Sequence, residues 1–120
     1  MALYVDGFVV PVPKKKVDAY RRMAKQASKI WREYGAMDYR ECVADDVKPG
    51  KWTSFPQSVK LKPDETVVFS WITYKSRKHR DRVNAKVMKD PRIAAMMADG
   101  SPPFDAKRMI YGGFTTIVSF

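Results

Sequence analysis

The ten residues Glu65 to Tyr74, ETVVFSWITY, constrain the fold more than any other stretch. Most are β-branched or aromatic, and the unbroken run Val67-Val68-Phe69 asks for cover on both faces of a sheet. A strand of this kind is not stable alone, so the chain must build a sheet around it and pack a layer against that sheet. Leu3 to Val12 supplies a second apolar strand, interrupted by Asp6 and Gly7 and bounded by Pro11 and Pro13. Ala36 to Ala44 alternates, with Met37, Tyr39, Glu41 and Val43 on one face and Asp38, Arg40 and Cys42 on the other. A last strand is expected from about Lys107 to Phe120, where Gly112-Gly113 suggests a bulge or bend.

The layer comes from two helices. Val17, Tyr20, Met23, Ala24, Ala27, Ile30, Trp31 and Tyr34 recur at three and four, which stacks them on one face. Gly35 follows, where a helix wants a left-handed residue. Ser76 caps a second helix with Val83, Val87 and Met88 turned inward, and Asp90-Pro91 opens a short third, ended by Gly100 to Pro103. Between Asp45 and Asp64, prolines and Gly50 break regular structure, and Trp52 and Phe55 are available to pin the loop.

The order β-α-β-β-α-β, with right-handed crossovers, gives an α+β, ferredoxin-like sandwich on a four-stranded antiparallel sheet. Residues 1–120 then form a single domain. Both main helices cover one sheet face, and the other needs a cover this chain lacks. A second copy would close two sheets into a barrel, so a homodimer is expected.

Three stretches together resemble one family: Tyr4-Val5-Asp6-Gly7-Phe8-Val9-Val10-Pro11-Val12-Pro13, Val67-Val68-Phe69-Ser70-Trp71-Ile72, and Pro103-Phe104-Asp105-Ala106-Lys107-Arg108-Met109-Ile110-Tyr111-Gly112-Gly113-Phe114. They are similar to the YbaA-like bacterial proteins, a domain of unknown function among the dimeric α/β barrels. Gly35-Ala36 and Asp90-Pro91-Arg92 fit the same pattern, so the likeness spans nearly the whole chain. It implies the dimeric fold and no particular reaction.

Composition narrows the function classes. The net charge is +10, and it is concentrated: residues 14–32 hold eight Lys or Arg against Asp18, and residues 75–92 hold eight against Asp81 and Asp90. That clothes the helices in positive charge, which serves solubility or, alternatively, binds nucleic acid or another polyanion through Arg21, Arg22, Lys25 and Arg80. An RNA-recognition sheet is not supported, because Tyr111 and Phe114 are three apart and share a face only across a bulge. One cysteine, Cys42, and one histidine, His79, cannot assemble a Cys/His zinc site, and no metal or organic cofactor is expected. His79 lies in the run Arg77-Lys78-His79-Arg80, a poor setting for a haem ligand. No apolar run approaches the roughly 20 residues that cross a membrane, and Asp6 comes too early for a signal peptide, so a cytoplasmic address is expected.

Polar groups embedded in apolar strands are the remaining candidates. A pocket between sheet and helices would draw on Asp6, Arg40, Glu41, Trp71 and Arg108, with Tyr20, Trp31 and Tyr39 in its walls, and would take a small molecule. A carboxylate buried there has its pKa raised and suits a general base. The competing reading pairs Asp6 or Glu41 with Arg40 or Arg108 in a structural ion pair, in the fold or at the dimer seam. Asp105 either caps a turn or reaches across subunits. Cofactor-free monooxygenases share this architecture, but architecture alone does not transfer chemistry.

Overall fold

The computed structural model describes residues 2–98 and 102–120. The elements are β1 (Tyr4–Pro13), α1 (Val17–Glu33), β2 (Asp38–Val43), α2 (Phe55–Ser58), β3 (Glu65–Tyr74), α3 (Arg77–Met88), α4 (Pro91–Ala98) and β4 (Ile110–Thr115). A single 3-10 turn, Lys14–Lys16, joins β1 to α1. The strands form one sheet in the order β2-β3-β1-β4, and all three pairings are antiparallel. That is the ferredoxin-like arrangement expected from the element order.

Why these elements form is plain from their residues. Tyr20, Ala24, Ala27 and Ile30 are the buried stripe of α1, spaced to lie along one face. Ile30, at 1% exposure, packs with Tyr4, Ile72, Tyr74, Val83 and Val87, and burying such a side chain is worth about 1.5–3 kcal/mol. Gly35 ends α1 at a φ of 110°, a value open to glycine, with His79 against it. Ser76 caps α3 as expected, its hydroxyl accepting from the His79 N–H at 3.1 Å.

The register fixes which residues share a face. Across the sheet, Glu41 stands beside Ser70, Ser70 beside Phe8 and Phe8 beside Tyr111. The next row runs Tyr39, Ile72, Asp6 and Gly113. Both rows face α1 and α3. The opposite parity, including Val9, Val67, Phe69, Trp71, Ile110 and Phe114, makes the open face. Part of it is covered by Val59 and Leu61 from the long loop.

Three expectations change here. The last strand is shorter than its apolar sequence suggests, Ile110–Thr115, because residues 106–108 form a turn before it and β1 begins only at Tyr4, the partner of Thr115. Gly112-Gly113 forms no bulge: Gly112 pairs with Gly7 and Gly113 with Asp6 in unbroken register. Tyr111 and Phe114 therefore point to opposite faces. Trp52 does not pin its loop, being 84% exposed, whereas Phe55 packs edge-on against Phe69 at 5.7 Å. Of the helix end expected at Gly100 to Pro103, Gly100 and Ser101 lie outside the described residues.

The glycine at 113 answers a close approach, since a Cβ there would fall on the Tyr4 ring. Tyr4 cannot yield easily, because it is buried and the Arg80 guanidinium lies over it at 4.9 Å. Gly113→Ala is therefore expected to destabilise the fold by about 1–3 kcal/mol in urea titration, and to cost less when introduced into a Tyr4→Ala background, where the clash is gone.

Candidate functional site

A cavity of about 520 Å³ lies between the helix-facing rows of the sheet and helices α1, α3 and α4. Its walls are mostly apolar, and five methionines line it: Met23, Met88, Met96, Met97 and Met109. Methionine walls are flexible and polarizable, so they adapt to a bound shape. Met88 and Met97 are more than half exposed and mark the mouth. Phe104 closes another side, packed edge-on against Tyr20.

Two polar stations interrupt this lining. The first is Glu41, which β2 points inward beside Ser70. The Tyr20 hydroxyl donates to its Oε1 at 2.7 Å, and the Tyr39 hydroxyl donates to its Oε2 at 2.8 Å. Burial raises the Glu41 pKa, and the hydrogen bonds from Tyr20, Tyr39 and Ser70 only partly offset it. The same burial, with the carboxylate alongside, pushes both tyrosines well above the ordinary phenol range. No cation neutralises Glu41 within 4 Å among the described residues.

The second station is Asp6. Arg80 Nη1 donates to it at 2.7 Å, and Asn84 Nδ2 reaches it at 3.5 Å. Behind them the Trp31 indole N–H donates to the Tyr74 hydroxyl at 3.1 Å, and that hydroxyl donates to Asn84 Oδ1 at 3.2 Å. Burial raises the Asp6 pKa, while Arg80 and Asn84 pull it down. This station is close to charge-neutral. It sits two strands and two residues from Glu41, roughly 12 Å across the sheet, so the two carboxylates cannot share a proton.

The structure thus brings Asp6 and Glu41 to one cavity, with Tyr20, Trp31 and Tyr39, and places the other candidates elsewhere. Trp71 faces away, because its neighbours Ser70 and Ile72 take the helix side; it packs at 5.7 Å from Phe69 on the open face. Arg40 is exposed on that same side and pairs with Asp38 at 3.2 Å. Arg108 turns toward Glu65 and Asp105 and does not line the cavity. Of the surface cations, Arg21 pairs with Asp18, and Arg22 and Lys25 are exposed. Arg80 leaves that group: its side chain is 19% exposed and belongs to the cavity.

Arg80 and Asn84 were the residues sequence reasoning missed in the pocket. Their signal was helical spacing, since both stand on the side of Val83 and Val87, hidden within a basic run. His79 is held through Nδ1, which accepts the Lys75 N–H at 3.0 Å, and burial followed by Arg82 and Lys75 lowers its pKa. Among the described residues no group of three or more His, Cys, Asp or Glu is gathered as a metal site, and no helix is long and apolar enough to cross a membrane.

Known proteins agree with this architecture. The uncharacterized protein YbaA of Escherichia coli K12 is 53% identical over 115 residues, which covers 96% of this chain and 97% of that protein. The protein of the same name from Shigella flexneri matches equally well. Among solved structures, a dimeric ferredoxin-like protein from an uncultured marine organism superposes with a TM-score of 0.59 at 10% identity over 100% of both chains. A nipsnap family protein with unknown function from Agrobacterium tumefaciens gives a TM-score of 0.55 at 12% identity, covering 95% of this chain and 87% of that one. At such identities the likeness is one of fold. A family model described as a protein of unknown function (DUF1428) matches residues 3–106, and with the 53% identical relatives it establishes that this chain belongs to the DUF1428 family.

Proposed function

We propose that the protein is a homodimer that binds an apolar, ring-sized small molecule in the cavity, with Glu41 receiving the ligand's one acidic hydrogen. The observation that carries this reading is a carboxylate with two tyrosine donors and no cation partner among the described residues, in a cavity whose lining, apart from Ser70 and the Asp6–Arg80–Asn84 group, is mostly methionine, aromatic and aliphatic. A volume of about 520 Å³ suits a ligand of drug size. The dimer is supported by the exposed Phe69, Ile110 and Phe114 on the open face, and by the dimeric description of a full-length fold neighbour.

Glu41 has the chemistry of a general base. A proton leaving a ligand O–H or C–H passes to a Glu41 oxygen, and the electron pair stays on the ligand. Once protonated, Glu41 no longer needs both tyrosines, and the freed Tyr20 or Tyr39 hydroxyl can donate to the new ligand anion. This is cofactor-independent proton transfer, and it uses only groups already converged on the cavity.

The test is titration with N-phenyl-1-naphthylamine, whose fluorescence rises in apolar sites. Wild type is expected to bind it saturably, Met23→Arg to bind at least tenfold more weakly, and Arg22→Glu/Lys25→Glu to bind as wild type does. Wild type without saturable binding would overturn the pocket. Retention on heparin that Arg22→Glu/Lys25→Glu abolishes, in a protein blind to the dye, would instead favour the polyanion surface.

A further inference from the structure

Residues 116–120 follow β4 without belonging to the sheet. The Thr116 N–H still donates to the Leu3 carbonyl at 2.9 Å, so the chain leaves β4 in register. Continued at the same pleat, Thr116, Val118 and Phe120 fall on the side of Phe114, the open face, and Ile117 on the other. None of the large side chains finds cover: Ile117 is 91% exposed, Val118 84% and Phe120 fully so. The stretch FTTIVSF carries no charge and is rich in strand-forming residues. Left in water it is the kind of segment that recruits other chains.

The open face has a complementary deficit. A stable interface buries about 800 Å² on each partner. A whole aromatic side chain offers about 150–250 Å², so Phe69, Ile110 and Phe114, each roughly half exposed, together offer about 300 Å², and the partly exposed Trp71 adds a fraction of one more ring, still short of that area. Val118 and Phe120, on the same side, add a comparable area and continue the same apolar surface past the sheet's end.

We infer that residues 116–120 pack on a second copy of this chain, laid against the open sheet face of that copy, so that each subunit covers its partner with the segment as well as with its own face. The inference rests on the homodimer proposed above and names the element that completes it. Because β4 also presents Tyr111 to the cavity, the exchange ties the pocket wall of one subunit to the surface of the other.

Sedimentation equilibrium of the full chain tests this. Val118→Asp/Phe120→Ser is expected to raise the dimer dissociation constant at least tenfold with an unchanged far-UV circular dichroism spectrum. A photoreactive benzoylphenylalanine at 118 should yield covalent dimers linked to peptides of the open face. An unchanged dissociation constant, or crosslinks only within one chain, would overturn the inference. Phe69→Asp separates the two ideas: if it breaks the dimer while the segment variant does not, the exchange fails and the dimer stands. Wild type monomeric throughout the micromolar range would sink both.

Discussion

Arg108→Ala lowers the melting temperature by about 10 °C or more, the largest effect expected of any single substitution away from the apolar core. Arg108 grips Glu65 with both terminal nitrogens, Nη1 donating to Oε1 at 2.8 Å and Nη2 to Oε2 at 2.6 Å. Its Nε donates to Asp105 at 2.8 Å, and Nη1 also reaches the Lys60 carbonyl at 3.0 Å. The Glu65 side chain is only 6% exposed, so losing the guanidinium strands a buried carboxylate whose remaining donor is the Lys62 N–H. Arg108→Lys should rescue little, because one ammonium cannot span both oxygens.

The pH dependence carries the sign. The Arg108 guanidinium beside Glu65 holds its pKa below the ordinary carboxylate value. A group depressed in the folded state contributes stability above its unfolded pKa, lost as pH falls through the folded value. The gap between wild type and Arg108→Ala should therefore be full at neutral pH and shrink as Glu65 becomes protonated in acid. A gap that stays constant from pH 7 to pH 3 would mean that Arg108 acts by packing alone. Dye binding should weaken in the same variant, because Phe104 and Met109 flank this latch and line the cavity.

This latch shows where sequence reading stops. The long helix was legible because the spacing of Tyr20, Ala24, Ala27 and Ile30 has one explanation, and the sheet order followed from strand count and handedness. Alternation within each strand was legible too, and it sets Glu41 and Arg40 on opposite faces, so the two adjacent residues could not both belong to the candidate pocket. What one chain does not carry is the parity between strands. Only the register Asp6 to Ile72, and Ile72 to Tyr39, says that Asp6 and Glu41 look toward the helices while Trp71 looks away. Arg80 was lost for a different reason. Charge clustering treats every cation in a run alike, whereas the helix turns Arg80 inward onto Asp6 and leaves Arg77 and Lys78 in water. The Gly112-Gly113 pair misled because glycine serves close approach as well as bulges, and here the Tyr4 ring requires it.

Glu41→Gln is expected to raise stability at pH 8 while removing the proposed proton acceptor. Burial raises the Glu41 pKa above its ordinary value, and among the described residues no cation offsets the cost of the charged form. By linkage, a group whose folded pKa is raised favours the fold fully below its unfolded pKa, and that contribution is lost as pH rises through the folded value. Wild type should thus lose stability on going from mildly acidic to alkaline pH, and Glu41→Gln should lose less. A gain of roughly 3–5 °C at pH 8 that vanishes near pH 4 fits a site kept at some cost in stability for what it does. The introduced amide can still meet the Tyr20 and Tyr39 hydroxyls, so packing is held constant while the charge goes. Ligand binding gives the second readout. The uncharged dye should bind Glu41→Gln as well as wild type, whereas a phenolic probe such as 2-naphthol should lose affinity at least tenfold, because only the carboxylate accepts its proton. Equal loss for both would show that Glu41 merely holds the cavity open. A variant less stable than wild type at pH 8 would show that the carboxylate stabilises the fold, and the case for a functional charge at this position would go with it.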